Sequence, residues 1–302
     1  MANRGNGKPA ERAGFCVAGN RDWHKQSTVA TSPVTPQHAI RAIVAASDIL
    51  SFTLHTEDFL RAYLQSDRLA ELVYVWVPVE AGEPDNTAWA FHRAIYGKND
   101  SGRLFHFKTQ SRFLTIPNIT LSSAFDTIYL VPHHGAISTY VDDTLNAGDA
   151  PFLKYVDNIL KNYSTHRPDH GTIQFAGICA RSDDAGVHCD AGPYATTIAP
   201  LPLTPPLSSP FADPKYLHSL AAKLLWVARV ARPDVLTNAT QLANMPNPTS
   251  ADARRANDTL ATLARLRITL HYPRLDPVTL QVYVFANYSG SAVAPLPKRQ
   301  VG

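Results

Sequence analysis

The chain has 302 residues, 45% hydrophobic and 18% charged, with 28 basic against 25 acidic side chains and a formal net charge of +3. This is the balance of a soluble globular protein with chain enough for one multi-lobed unit or two domains; it neither announces a nucleic-acid binder nor excludes a local basic groove. Cys16, Cys179 and Cys189 are odd in number and widely spaced, which argues against a disulfide framework and fits a reducing compartment, and no apolar run approaches the roughly 20 residues of a membrane span.

Residues 1–14 are polar and rich in Gly, Arg and Lys, and read as an unstructured leader; the start lacks Walker spacing around Lys8. No charged-then-apolar leader is apparent, so the expected location is intracellular, a cytoplasmic particle or the nucleus, without secretion. A helix is expected over about 36–50, with Pro36 near its first turn and Ile40, Ile43, Val44 and Ile49 at helical spacing. Phe52, Leu54 and Thr56 alternate as a strand that leads into Asp58. A short helix or turn and then a strand over 73–78 follow. Ile128 to Val131 and Ile137 to Val141 are β-prone runs separated by the turn residues Pro132, His133, His134 and Gly135. Phe152, Leu153, Val156, Ile159 and Leu160 mark one face of a helix, and 172–198 holds further strands with turns at 183–184 and 191–193. Prolines crowd 201–214, a linker into a helical part over 215–272. Its first helix has an inward stripe of Tyr216, Leu217, Leu220, Leu224 and Val227 and ends at Arg232-Pro233; a second covers about 235–244. A third starts with Ser250 as N-cap and turns Ala253, Ala256, Leu260 and Leu263 inward. His133, His134, His188 and Cys189 show no ligand spacing, and turn and core roles suffice for them.

The 128–141 hairpin raises Asp142 and Asp143 at the foot of its second strand. An adjacent Asp pair is also what an ordinary turn carries. Carboxylates this close repel unless a cation lies between them, and two hard cations held by carboxylates make a phosphoryl-transfer centre. Such a centre needs a third carboxylate from another strand, and Asp58, at a strand end, is the candidate.

Five blocks in order carry a resemblance to copia-type LTR retrotransposon reverse transcriptases. The run from Asp58 to Gln65 resembles that family's D-x-x-x-A-[FY]-L-Q segment. Ala94 to Gly97 with Ser101 to Arg103 resembles its LYGLKQ-x-x-R block, and Tyr140 to Asp143 matches its YVDD box. The stretches 173–198 and 221–249 resemble the strands that end the palm and the following helix pair. The resemblance implies an α+β right-hand polymerase with fingers and palm over 15–200, a helical thumb over 215–272, and a truncated RNase H-like start over 278–302. It implies an RNA-directed DNA polymerase working by two-metal nucleotidyl transfer. Asp58, Asp142 and Asp143 would hold two magnesium ions, with manganese as a possible substitute. Tyr63, Gly97 and Arg103 would face the nucleotide, and Tyr140 and Val141 the primer end. The implied partners are an RNA or DNA template with its primer and deoxynucleoside triphosphates, and no membrane. Taken without the resemblance, Tyr63 is equally a core aromatic, Tyr140 and Val141 are ordinary strand residues, and Arg103 could pair with a surface carboxylate. Arginines of the third helix are available for phosphates, or are simply its solvated face.

The sequence also departs from the family. Asn99 and Asp100 stand where its Lys and Gln belong, and an acid there would repel a triphosphate unless it points away. The segment 14–19 lacks the family's basic residue, leaving Arg12, Arg21 and Lys25 as substitutes, and Phe285 replaces the first RNase H carboxylate, so RNase H activity is not expected. Two readings stand: a polymerase with an intact carboxylate triad, and a catalytically inactive remnant with at most weak nucleic-acid binding.

Overall fold

The protein is described from a computed structural model covering residues 16–19, 32–166, 173–203 and 206–276. The expectations for 1–14 and 278–302, and for Arg12, Arg21, Lys25 and Phe285, lie outside the described residues.

In chain order, α1 (Gln37–Ile49) leads into β1 (Thr53–Phe59), a 3₁₀ turn (Ala62–Gln65), and the pair β2 (Val73–Trp76) and β3 (Ala88–Phe91). Then come α2 (Ser101–Phe113), β4 (Thr120–Leu121), β5 (Ile128–Val131), β6 (Gly135–Tyr140), β7 (Asp143–Gly148) and α3 (Ala150–Leu160). The rest comprises β8 (Thr165–His166), β9 (Ile173–Phe175), β10 (Ile178–Asp183), β11 (Gly186–Asp190), α4 (Pro214–Val230), α5 (Leu236–Ala243), α6 (Ser250–Arg265) and β12 (Leu270–Pro273). The fold is mixed α and β, as expected.

The main sheet is antiparallel throughout, in the order β4-β5-β6-β7-β1-β8, so β1 is inserted between two strands made much later in the chain. Side chains alternate across it. Leu54 and Leu145 join a core that runs through α1, the sheet β12-β11-β10-β9 and helices α4 to α6. Phe59 and Ile137 point the other way, into a second core with Phe105 and Phe113 of α2 and Phe152, Leu153 and Val156 of α3. The helical part expected beyond a linker thus shares its core with α1 and β7.

Local chemistry explains most boundaries. Asp149 caps α3 by accepting the Phe152 backbone N–H at 2.9 Å, and its other oxygen meets His134 Nδ1 at 2.7 Å. One of the expected turn histidines is therefore a partner of the cap. Asp213 caps α4, accepting from the Lys215 N–H at 3.1 Å. Arg232 is buried after the end of α4. Its Nε and Nη2 donate to Asp234 at 2.9 and 2.8 Å, and its Nη1 donates to the Leu263 carbonyl at 3.3 Å.

Several expectations need correction. The N-cap of α6 is Thr249, one residue before Ser250, because Thr249 and Asp252 form a reciprocal capping box. Tyr216 is exposed and does not belong to the inward stripe of α4. The acidic pair does not end a two-stranded hairpin. A third strand, β7, follows at once, so Val141 and Asp142 form a turn and Asp143 opens the new strand.

Candidate active site

The carboxylates are brought together by register. Asp58 of β1 lies directly opposite Asp143 of β7, and Asp143 lies opposite Tyr140 of β6. Partners in register share a face, so Asp58, Asp143 and Tyr140 project on the side that carries Leu145. Asp142 is fixed by the turn. Val141 has φ 56°, the left-handed region that disfavours a β-branched residue. A positive φ at the first central residue alone is the type II′ pattern, where glycine is usual. The turn is held in that shape because the Phe59 N–H donates to the Asp142 carbonyl at 2.8 Å, tying its tip to the end of β1.

Among the described residues, none of the three carboxylates takes part in an ion pair. The electrostatic consequence is large. Burial, then Asp142, then Asp58 push the Asp143 carboxyl up to about 7. Asp142 is also raised, by burial foremost and by Asp58, against a backbone hydrogen bond that lowers it. No three His, Cys, Asp or Glu side chains among the described residues are already gathered as a metal cage. Asp58, Asp142 and Asp143 are the residues that could hold a hard divalent cation through their carboxylate oxygens. Without a cation, mutual repulsion opposes their convergence.

Two tyrosines border the trio. Tyr63, in the 3₁₀ turn after β1, and Tyr96 hold their ring centroids 4.5 Å apart at 42°. Both hydroxyls are raised, first by burial and then by Asp142; Tyr96 also senses Asp58 and has a backbone hydrogen bond from Ala62. Tyr96 is the neighbour that sequence reasoning missed, hidden in a block read for its glycine and arginine. Its carbonyl accepts from the Val17 N–H at 2.9 Å, docking segment 16–19 on the site. Gly97 permits this approach. Its φ is +88°, and a Cβ there would meet the Val17 carbonyl oxygen at 1.9 Å.

The remaining predicted residues are not gathered there equally. Arg103, in the first turn of α2, stacks its guanidinium over Phe107 at 4.9 Å. The Tyr140 ring meets Phe175 edge-on at 6.3 Å, while Val141 is at the turn tip. Asp100 is paired with Lys98, so its charge is already compensated. Gln65, the last residue of the first block, clamps the backbone entering β8: its amide donates to the Ser164 carbonyl at 2.9 Å and accepts the Ser164 N–H at 2.8 Å. A cavity of about 520 Å³ lined by Glu57, Lys154 and Lys161 lies elsewhere, and its lining includes none of the three aspartates.

No protein-family model matches this chain, and no curated protein matches it. Solved structures similar to it include two of one viral protein. One is the foamy viral protease-reverse transcriptase in complex with double-stranded DNA, at 13% identity and a TM-score of 0.45, covering 80% of this chain and 47% of that one. The other, of the same viral protein designated dRH and also with double-stranded DNA, gives 14% identity and a TM-score of 0.43, covering 77% and 38%. The chain spans less than half the length of either.

Proposed function

We propose that this chain is the polymerase part of a copia-type reverse transcriptase, an α+β right hand that adds deoxynucleotides to a primer on an RNA or DNA template. The observation that carries the reading is the register pairing of Asp58 with Asp143 beside a strained, tethered turn bearing Asp142. Strain held at a turn that positions a carboxylate is characteristic of a functional site. Asp58, Asp142 and Asp143 would hold two magnesium ions, or manganese, which when bound supply activation of the primer 3′-hydroxyl and charge neutralisation for the departing pyrophosphate.

The chain's own residues would do the positioning. The Tyr63 ring, braced by Tyr96 near Asp142, would sit under the incoming sugar and crowd a 2′-hydroxyl. Lys98 holds Asp100, which removes the repulsion that an acid in that block would exert on a triphosphate. Arg103 and Gly97 would border the phosphates, and Val141 at the turn tip the primer end.

The test is primer extension on an RNA template with magnesium and then manganese, comparing the native chain with Asp142→Asn. Extension that the substitution abolishes supports the assignment. Absence of extension by folded protein leaves the inactive-remnant reading, and extension that survives Asp142→Asn means the site is wrongly chosen.

A further inference from the structure

The β2–β3 hairpin breaks the usual pattern of a half-buried ribbon. Its inner face carries Val73, Val75, Trp89 and Phe91, all partly buried, with the Trp89 and Phe91 rings 6.4 Å apart. Its outer face should then be polar. Instead it presents Tyr74, 68% exposed, and Trp76, 72% exposed. Their cross-strand partners are Ala90 and Ala88, whose single methyl groups cannot cover an aromatic face. The two rings are two residues apart on one face, about 7 Å along the strand. An exposed aromatic row of this kind marks a contact surface.

The row leads into positive charge. At its base a cavity of about 350 Å³ is lined by Ala90 together with Arg68, His92 and Arg93. Beyond it, Arg93 and Arg112 crowd Lys108 closely enough to lower its ammonium pKa, after burial, with Asp67 the nearby counter-charge. Glu80, Glu83 and Asp85 lie at the opposite end, in the hairpin loop, while at the base Glu71 and Asp67 stand among Arg68, His92 and Arg93. Open ring faces combined with a basic groove are the two requirements for holding an unpaired nucleic-acid strand, the rings taking base faces and the groove the phosphates.

We propose that the outer face of the β2–β3 hairpin and the basic cleft at its base form a binding track for single-stranded nucleic acid, with Tyr74 and Trp76 as stacking platforms and Arg68 and Arg93 as phosphate contacts. The track is separate from the carboxylates and does not depend on their turnover.

The experiment uses the full chain and a 12-nucleotide oligothymidylate, followed by tryptophan fluorescence and by anisotropy of a labelled oligonucleotide over a range of salt. Trp76→Ala and Tyr74→Ala, at exposed positions, should each weaken binding by fivefold or more at unchanged melting temperature. Arg93→Gln should reduce the slope of log affinity against log salt by about one. Unchanged affinity in both ring variants overturns the track, as does sedimentation showing that the rings instead drive self-association that Trp76→Ala abolishes without affecting the oligonucleotide. Asp142→Asn separates the two proposals: it should keep oligonucleotide binding while losing extension. Ring-dependent binding without extension by the native chain sinks the polymerase reading alone. Normal extension with ring-independent binding sinks the track alone.

Discussion

Replacing Asp143 by Asn should make the metal-free protein more stable while destroying its proposed chemistry. The carboxyl rises from 3.8 to about 7 in the folded chain, so folding disfavours its ionised form. A raised folded pKa contributes stability that is complete below the unfolded value and is lost as pH rises through the folded one. For Asp143 that window runs from about pH 4 to 7. A shift of roughly three units at about 1.36 kcal/mol each sets an upper limit near 4 kcal/mol. Partial solvent exposure screens this, and about 1–2 kcal/mol is the reasonable share. Asn mimics the protonated acid, so at pH 8 the variant should melt about 2–6 °C above the native chain, and at pH 5 the two should nearly coincide. Magnesium should invert the comparison at pH 8, raising the native Tm and leaving the variant unmoved, because only a carboxylate gains from a bound cation. Differential scanning fluorimetry at the two pH values, with and without magnesium, reads all of this. An Asp143→Asn protein that melts at or below the native one in metal-free buffer at pH 8 refutes the account of three uncompensated carboxylates.

Other substitutions probe the scaffold. Gly97→Ala should cost about 2 kcal/mol or more in urea unfolding, since the added methyl meets the Val17 carbonyl and the backbone is left-handed. Val141→Gly should raise stability by up to about 1 kcal/mol by relieving the turn, yet lower primer extension by freeing Asp142. Asp234→Ala should cost about 2–3 kcal/mol because it strands the buried Arg232 guanidinium, and Arg232→Met in the same chain should recover part of that loss in a double-mutant cycle.

Elements with one apolar stripe were legible in the sequence. The periodic isoleucines of α1 and the packed face of α3 fall where the spacing puts them, and α4 ends at Val230, just before the expected Arg232-Pro233. Helix α2 was not anticipated. Its apolar residues Leu104, Phe105, Phe107 and Phe113 are spread around the axis, and its buried side includes Ser101, His106 and Thr109. Strand β7 was hidden for a related reason: Thr144 and Asn146 are buried polar residues, so no alternation announces it. The three aspartates stand out in the sequence because their chemistry is written in their types. What gathers them was not legible: the register of β1 against β7 and the bond from Phe59 to the turn are long-range facts. The same holds for Tyr96 and for the Lys98–Asp100 pair, whose importance depends on what folds back over them.

The central place of β1 has a consequence during synthesis. Both its edges are hydrogen-bonded in the finished sheet, one to β7 and the other to β8, and both partners leave the ribosome after it. Until then β1 is an open strand, vulnerable to pairing with other chains. When its partners arrive, a slip of one residue would turn Asp58 to the opposite face and set Glu57 beside Asp143. The nascent protein would still carry an acidic cluster, but not the one that its final register builds.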